Sequence, residues 1–365
     1  MKLEEKLSEI RELFRSIKYP GSSKNIIELD MVQNIRIDEA HLSFRLVFQN
    51  SKEPFVGSIQ KKCKALLSEY KEGVFKTIDI ETIFIQELQR PLSLNNVNNI
   101  IAISSGKGGV GKSTVSANLA VALAGAGYKV GLLDADIYGP SMPKMFNCED
   151  ARPYMDMVDG REMIIPIESY GVKLLSIGFF VESGSATVWR GAMASNALKQ
   201  LLEQGYWGDL DYLLIDLPPG TSDIHLTLVQ TLALTGAIVV STPQQVALAD
   251  AIKGINMFES AGIGVPILGL VENMSWFTPA ELPENKYYLF GKDGVKKLAE
   301  ERGMQLLGQI PIVQSICESG DGGEPIALNR ESIVGLAFVS LAEKLIAYLM
   351  NGDVPIAHRV VVGKK

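Results

Sequence analysis

The segment Gly106-Lys107-Gly108-Gly109-Val110-Gly111-Lys112-Ser113-Thr114 brings together the groups that hold a phosphate chain. Its glycines let the backbone wrap closely, so that N–H groups converge on phosphate oxygens at the start of a helix. Lys112 is spaced to reach the β- and γ-phosphates, the Ser113 hydroxyl to ligate Mg²⁺, and Thr114 to support the α-phosphate. A glycine-rich turn matches this spacing by chance in roughly one chain of this length in a hundred. Here the segment also follows an apolar run and opens a helical pattern, the context that the chemistry requires. It reads as a site for ATP with magnesium.

Such a site needs carboxylates. Asp216 ends the apolar run Tyr212-Leu213-Leu214-Ile215 and precedes Leu217-Pro218-Pro219-Gly220, where a strand delivers an acid to the magnesium shell. Asp134 and Asp136 end an earlier strand, in Leu132-Leu133-Asp134-Ala135-Asp136. Asp136, further from the strand core, is the candidate for orienting the attacking water and touching magnesium, and Asp134 is the structural partner. A capping or turn role stays open for either. Lys107 is a second lysine in the same loop, badly placed to serve the phosphates that Lys112 serves. In the deviant Walker A ATPases, which this segment resembles, that lysine crosses a dimer interface to the partner's nucleotide and stabilises charge on the transferring phosphoryl. The alternative is a solvated lysine.

These residues have to be held by a sheet. Short apolar runs predict strands at Ile100–Ser104, Lys129–Asp134, Val172–Ile177, Tyr212–Asp216, Ala237–Ser241, Ile267–Glu272 and Leu306–Gln309. Helical patterns fill gaps at Lys112–Ala124, Ala192–Gln204, Asp223–Leu234, Ala247–Ser260 and Gly294–Arg302. The alternation predicts an α/β fold, a mainly parallel sheet with helices on both faces and ligands at the carboxyl ends of the strands. Ahead of it, residues 1–87 predict a small α+β domain. An amphipathic helix carries Leu3, Leu7, Ile10, Leu13, Phe14 and Ile17, alternating stretches follow at Asn25–Ile37 and His41–Phe48, then a helix near Ile59–Tyr70 and a strand near Phe75–Phe84. Polar residues 88–99 read as a linker, 100–350 as the ATPase domain and 351–365 as a C-terminal tail.

Composition narrows the class. The net charge of −7 argues against general nucleic-acid binding. The N-terminus MKLEEKLSEI carries acids and no apolar core, so no secretory signal is expected, and Ile333–Met350, interrupted by Glu343 and Lys344, reads as a buried helix rather than a membrane span. Cys63, Cys148 and Cys317 are far apart with no paired spacing, which suits a reducing cytoplasm. Taken singly, each reads first as a small buried hydrophobe.

The segments GKGGVGKST, DADIYGPSMP, WRGAM, DYLLIDLPPGTSD, STPQQVALADA and GLVENMSWF occur in the order seen in Mrp/ApbC-type iron–sulfur cluster carrier ATPases, which residues 100–330 resemble. The N-terminal unit, through Tyr19-Pro20-Gly21 and Asn25–Val32, is similar to the small domain often fused ahead of them. The resemblance implies a homodimer with two ATP molecules near the interface, switch segments around Asp136 and Gly220, Asn273 on the adenine edge and Pro311 near the base. As a bare residue Asn273 is equally a strand-end turn former. It also implies delivery of clusters to apo-proteins or work with assembly proteins. One departure stands out. Carriers that hold a cluster usually have C-x-x-C shortly after the N-M-S segment, so that a dimer supplies four thiolates. Here those positions are Pro279 and Leu282. Cys317 is the remaining candidate ligand and supplies at most two thiolates across a dimer. A nucleotide-switched scaffold without its own cluster is therefore an alternative. A positioning ATPase of the ParA/MinD kind is a weaker one, because the tail NGDVPIAHRVVVGKK has a proline, little helical periodicity and only a small basic end for DNA or membrane.

Overall fold

The computed structural model describes residues 3–38, 41–48, 53–70, 74–86, 91–137, 139–180, 191–221, 223–260, 263–279, 281–282, 284–352 and 359–362. The chain forms two compact units, Met1–Glu87 with His358–Lys365, and Leu88–Ala357.

In the smaller unit, strands β1 (Val32–Asp38), β2 (His41–Phe48), β3 (Thr77–Gln86) and β14 (Arg359–Val362) form one sheet in the order β1-β2-β3-β14. Helices α1 (Leu3–Arg15) and α2 (Val56–Glu69) cover it. Period-2 alternation puts Leu42, Phe44 and Leu46 of β2 on the buried face, where Ile10 and Phe14 of α1 and Ile59, Cys63 and Leu67 of α2 meet them. Only the second half of Asn25–Ile37 is strand. The first half is a turn, because the Asn25 side-chain oxygen accepts from the amides of Ile27 and Glu28 and diverts the backbone. β14 falls in the stretch read as a tail; it pairs antiparallel with β3, Arg359 opposite Gln86.

The larger unit is built on an eight-stranded sheet: β4 (Val97–Ser104), β5 (Val130–Asp134), β8 (Ile167–Ser169), β9 (Val172–Ser176), β10 (Leu210–Asp216), β11 (Gly236–Ser241), β12 (Ile267–Glu272) and β13 (Leu306–Gln309). Their order is β13-β12-β11-β4-β10-β5-β9-β8, all parallel except β8 at the edge. The sequence boundary at 99/100 falls inside β4. Leu94 and Val97 are in the core of this unit, and Asn96, Asn98 and Asn99 are tied to Asp209 and Asp211, so residues 91–99 pack as part of the larger unit, with the strand starting at Val97.

Alternation along the strands sorts the core into two layers. Ile101, Ile103, Leu132 and Leu214 face α3 (Lys112–Gly125), α4 (Met142–Met145) and α10 (Ile333–Met350). Ile100, Ala102, Leu133, Leu213 and Ile215 face α5 (Gly191–Gln204) and α6 (Asp223–Thr231), while α7 (Gln245–Glu259) and α8 (Gly294–Arg302) cover β11 and β12 on that side. The same parity turns Asp134 and Asp216 toward α3. Helix α10 places Val334, Phe338, Leu341 and Leu345 in the first layer. Five further elements have no counterpart in the sequence reading: α4, the hairpin strands β6 (Tyr154–Val158) and β7 (Arg161–Ile165), strand β8, and α9 (Gln314–Gly322).

Candidate nucleotide site

The loop between β4 and α3 is held from beneath at two glycines. At Gly106 an added Cβ would stand 2.1 Å from the backbone carbon of Asp250 in α7. Gly111 has φ +81° and caps α3; a Cβ there would meet the Asn273 amide nitrogen at 2.2 Å. That nitrogen donates to the Val110 carbonyl at 2.8 Å. Asn273 thus braces the loop through one N–H of its amide. Pro311 follows β13, and its neighbours Ile310 and Ile312 donate to the carbonyls of Glu272 and Trp276, which ties it beside the segment that carries Asn273. Gly106→Ala is expected to force the loop off α7, costing about 2–3 kcal/mol of stability and most nucleotide affinity. Thermal unfolding with calorimetric titration checks both.

Lys112, 5% exposed, points back under the loop. Its Nζ lies 2.8 Å from Asp216 Oδ2, 3.9 Å from Asp136 Oδ2 and 3.3 Å from Ser113 Oγ. Ser113 Oγ donates to the same Asp216 oxygen at 2.7 Å. Asp134, the register neighbour of Asp216 on β5, is fully buried and braces the next turn. It accepts from Ser176 Oγ at 2.8 Å and from the amides of Met142 and Asp136, each at 3.2 Å. Burial, and then the nearby Asp216 charge, push its carboxyl up to about 7 against those bonds and the Lys112 charge. Asp136, 13% exposed in its side chain, is the acid that reaches the cleft.

The cleft has a volume of about 190 Å³ and is walled by residues 107–114, Asp136 and Pro219. Lys107 stands exposed at its mouth. A hydroxyl and two carboxylates, all hard oxygen donors, converge beside Lys112, and this donor set fits Mg²⁺. Two buried side chains of α3 were missed in the sequence: Ser116, on Asp216, and Asn118, whose amide joins the Thr114 carbonyl to the Ala327 amide. Their spacing of four and six residues from Lys112 was the available signal.

All three cysteines are free thiols. Cys63 is buried in the smaller unit, which pushes its thiol up to about 12, and half-buried Cys148 is pushed up to about 11, also by burial. Cys317 is exposed on α9, contrary to the expectation of a small buried hydrophobe. Its helix is beside the loop of interest: a cleft of about 740 Å³ is lined by Thr278, Pro279 and Glu281 on one side and by Gln314 and Glu318 of α9 on another. Leu282 is 49% exposed, its amide on the Pro279 carbonyl. Among the described residues no three His, Cys, Asp or Glu side chains are grouped to hold a metal ion.

A phosphate loop between the central parallel strand and a buried helix, with a strand-end aspartate across from its lysine, defines a P-loop nucleotide-binding protein. Comparison with known proteins narrows this. Residues 96–346 match the family described as NUBPL iron-transfer P-loop NTPase, and residues 7–79 match the family described as iron–sulfur cluster assembly protein. The Escherichia coli K12 iron–sulfur cluster carrier protein is 50% identical over 92% of this chain and 90% of its own length. The Synechocystis protein of the same name is 40% identical over 91% and 95%. An Arabidopsis thaliana iron–sulfur protein required for mitochondrial NADH dehydrogenase is 48% identical over 70% and 80%. Among solved structures, an ADP complex of a nucleotide-binding protein from Archaeoglobus fulgidus aligns with TM-score 0.56 and 38% identity over 64% of this chain and 89% of that one. The Pyrococcus furiosus cell division ATPase MinD aligns at 0.50 and 26% over 68% and 99%. The chain belongs to the NUBPL/ParA family of iron-transfer P-loop NTPases.

Proposed function

We propose that the chain is an ATP-hydrolysing homodimer that assists assembly or transfer of iron–sulfur clusters to apo-proteins in the cytoplasm. The observation that carries the ATPase reading is the division of labour between two lysines in one loop. Lys112 is buried on Asp216, and Lys107 is exposed at the mouth of the cleft. ATP binding replaces the Asp216 carboxylate at Lys112 with phosphate oxygens. Ser113 and Asp216, with Asp136, are the residues that would hold magnesium, which would supply charge neutralisation on those oxygens. Asp136 orients water for in-line attack on the γ-phosphorus, and the partner's Lys107 stabilises the charge that develops there.

The cluster is cargo, and this chain brings few ligands to it. A cluster takes about four; Pro279 and Leu282 provide none, and Cys317 provides two across a dimer. The others come from a client protein or a small thiol. Anaerobic reconstitution with iron and sulfide should give weak, labile iron binding that is lost in Cys317→Ser and kept in Cys148→Ser. A stable stoichiometric cluster in Cys317→Ser would refute that ligand choice. Complete lack of iron with nucleotide hydrolysis intact would favour a nucleotide-switched scaffold, the reading that Pro279 and Leu282 support.

A further inference from the structure

Among the described residues the Asp216 side chain has three partners, and only one is free of other duties. Its Oδ2 takes Lys112 and Ser113, both needed elsewhere once nucleotide and metal arrive. Its Oδ1 lies 2.6 Å from Ser116 Oγ. Ser116 sits one turn further along α3, fully buried, where neither phosphate nor solvent reaches it. A helical serine ordinarily bonds the carbonyl four residues back, and Lys112 O is indeed 3.1 Å away. One hydroxyl has one proton, however. The carboxylate is closer and charged, and 2.6 Å is the length of a charge-assisted O–H···O⁻ bond.

We propose that Ser116 is a positioning residue for the metal carboxylate. Its hydroxyl holds Asp216 Oδ1 so that Oδ2 alone faces Ser113 and the magnesium when Lys112 turns to the phosphates. Without it the carboxylate rotates about its Cβ–Cγ bond, and the oxygen presented to the metal is no longer fixed. The proposal rests on the reading of Asp216 as the magnesium acid.

The test is ADP affinity of the full-length protein, measured by calorimetry in excess Mg²⁺ and again in EDTA, for wild type, Ser116→Ala and Ser116→Cys. Cysteine keeps the volume and offers only a weak donor, so it answers the question if the alanine variant does not fold. Wild type should bind more tightly with Mg²⁺. In Ser116→Ala that enhancement should shrink about tenfold, with Ser116→Cys between the two, as loss of a hydrogen bond to a charged group requires. Affinity in EDTA should stay close to wild type, which a general defect of the loop would not allow, while the unfolding temperature should fall modestly with the loss of one buried bond to a carboxylate. A magnesium enhancement that survives within twofold in both variants overturns the role of Ser116 and leaves the site reading standing. A wild-type affinity indifferent to Mg²⁺ overturns the reading of Asp216 itself, and the proposal with it.

Discussion

Lys107→Ala is expected to bind ATP nearly as well as wild type and to turn it over about 10³-fold more slowly. The binding half of this follows from the geometry: Lys107 is exposed at the mouth, and the buried charge that meets the phosphates is Lys112. The kinetic half follows from where charge develops. A cation that contacts the γ-phosphoryl only in the transition state contributes to turnover and not to ground-state affinity. On the proposal that this cation comes from the opposite protomer, a mixture of Lys107→Ala and Asp136→Ala should regain part of the activity. One of the two composite sites in a mixed dimer then has both its own Asp136 and its partner's Lys107. Steady-state phosphate release across mixing ratios is the measurement. No recovery, with heterodimers demonstrated, would place Lys107 in its own protomer's site.

Lys112→Ala should have the second large effect, and on two quantities. Loss of the main phosphate-binding charge should abolish tight nucleotide binding, as calorimetry would register; near-wild-type affinity would refute the P-loop site. From the sequence alone the fold is expected to survive untouched. The structure changes that expectation, because Lys112 is the cation paired with fully buried Asp216 at 2.8 Å. Removing one partner of a buried pair leaves the other charge uncompensated, at a cost of about 3–5 kcal/mol. The bonds from Ser113 and Ser116 keep the cost at the lower end. The variant Lys112→Ala/Asp216→Asn should recover most of that stability while still failing to bind ATP. Equal denaturation midpoints for the single and double variants would rule out the pair as a stabilising contact.

What was legible in the sequence is what is local in the chain. The phosphate loop is one run of consecutive residues whose spacing carries its own geometry, and Asp216 announces itself as the acid at the end of an apolar run. The seven parallel strands could be read for the same reason, each being a continuous apolar stretch of a sheet covered on both faces. Contacts between distant segments could not. Nothing in the neighbourhood of Asn273 says that its amide lies on Val110, and Asn118 bonds Ala327 only because α3 packs against the turn that precedes α10. The β6–β7 hairpin had a readable signal that went unused: Asp159-Gly160, both at positive φ, between alternating stretches. The exposure of Cys317 was hidden because Gly320, Gly322 and Gly323 weaken the helical pattern that places it on the surface of α9.

Strand β14 has a consequence for how the protein is made. A chain emerging from the ribosome delivers α1 through β3 early, yet the edge of β3 waits for Arg359–Val362, which follow the entire nucleotide-binding unit. During that interval β3 is an unpaired edge, the kind of surface that recruits strands from other chains. Nascent copies on one messenger therefore carry a transient adhesive edge until residues 359–362 emerge. A fragment cut after residue 87 carries the same edge permanently.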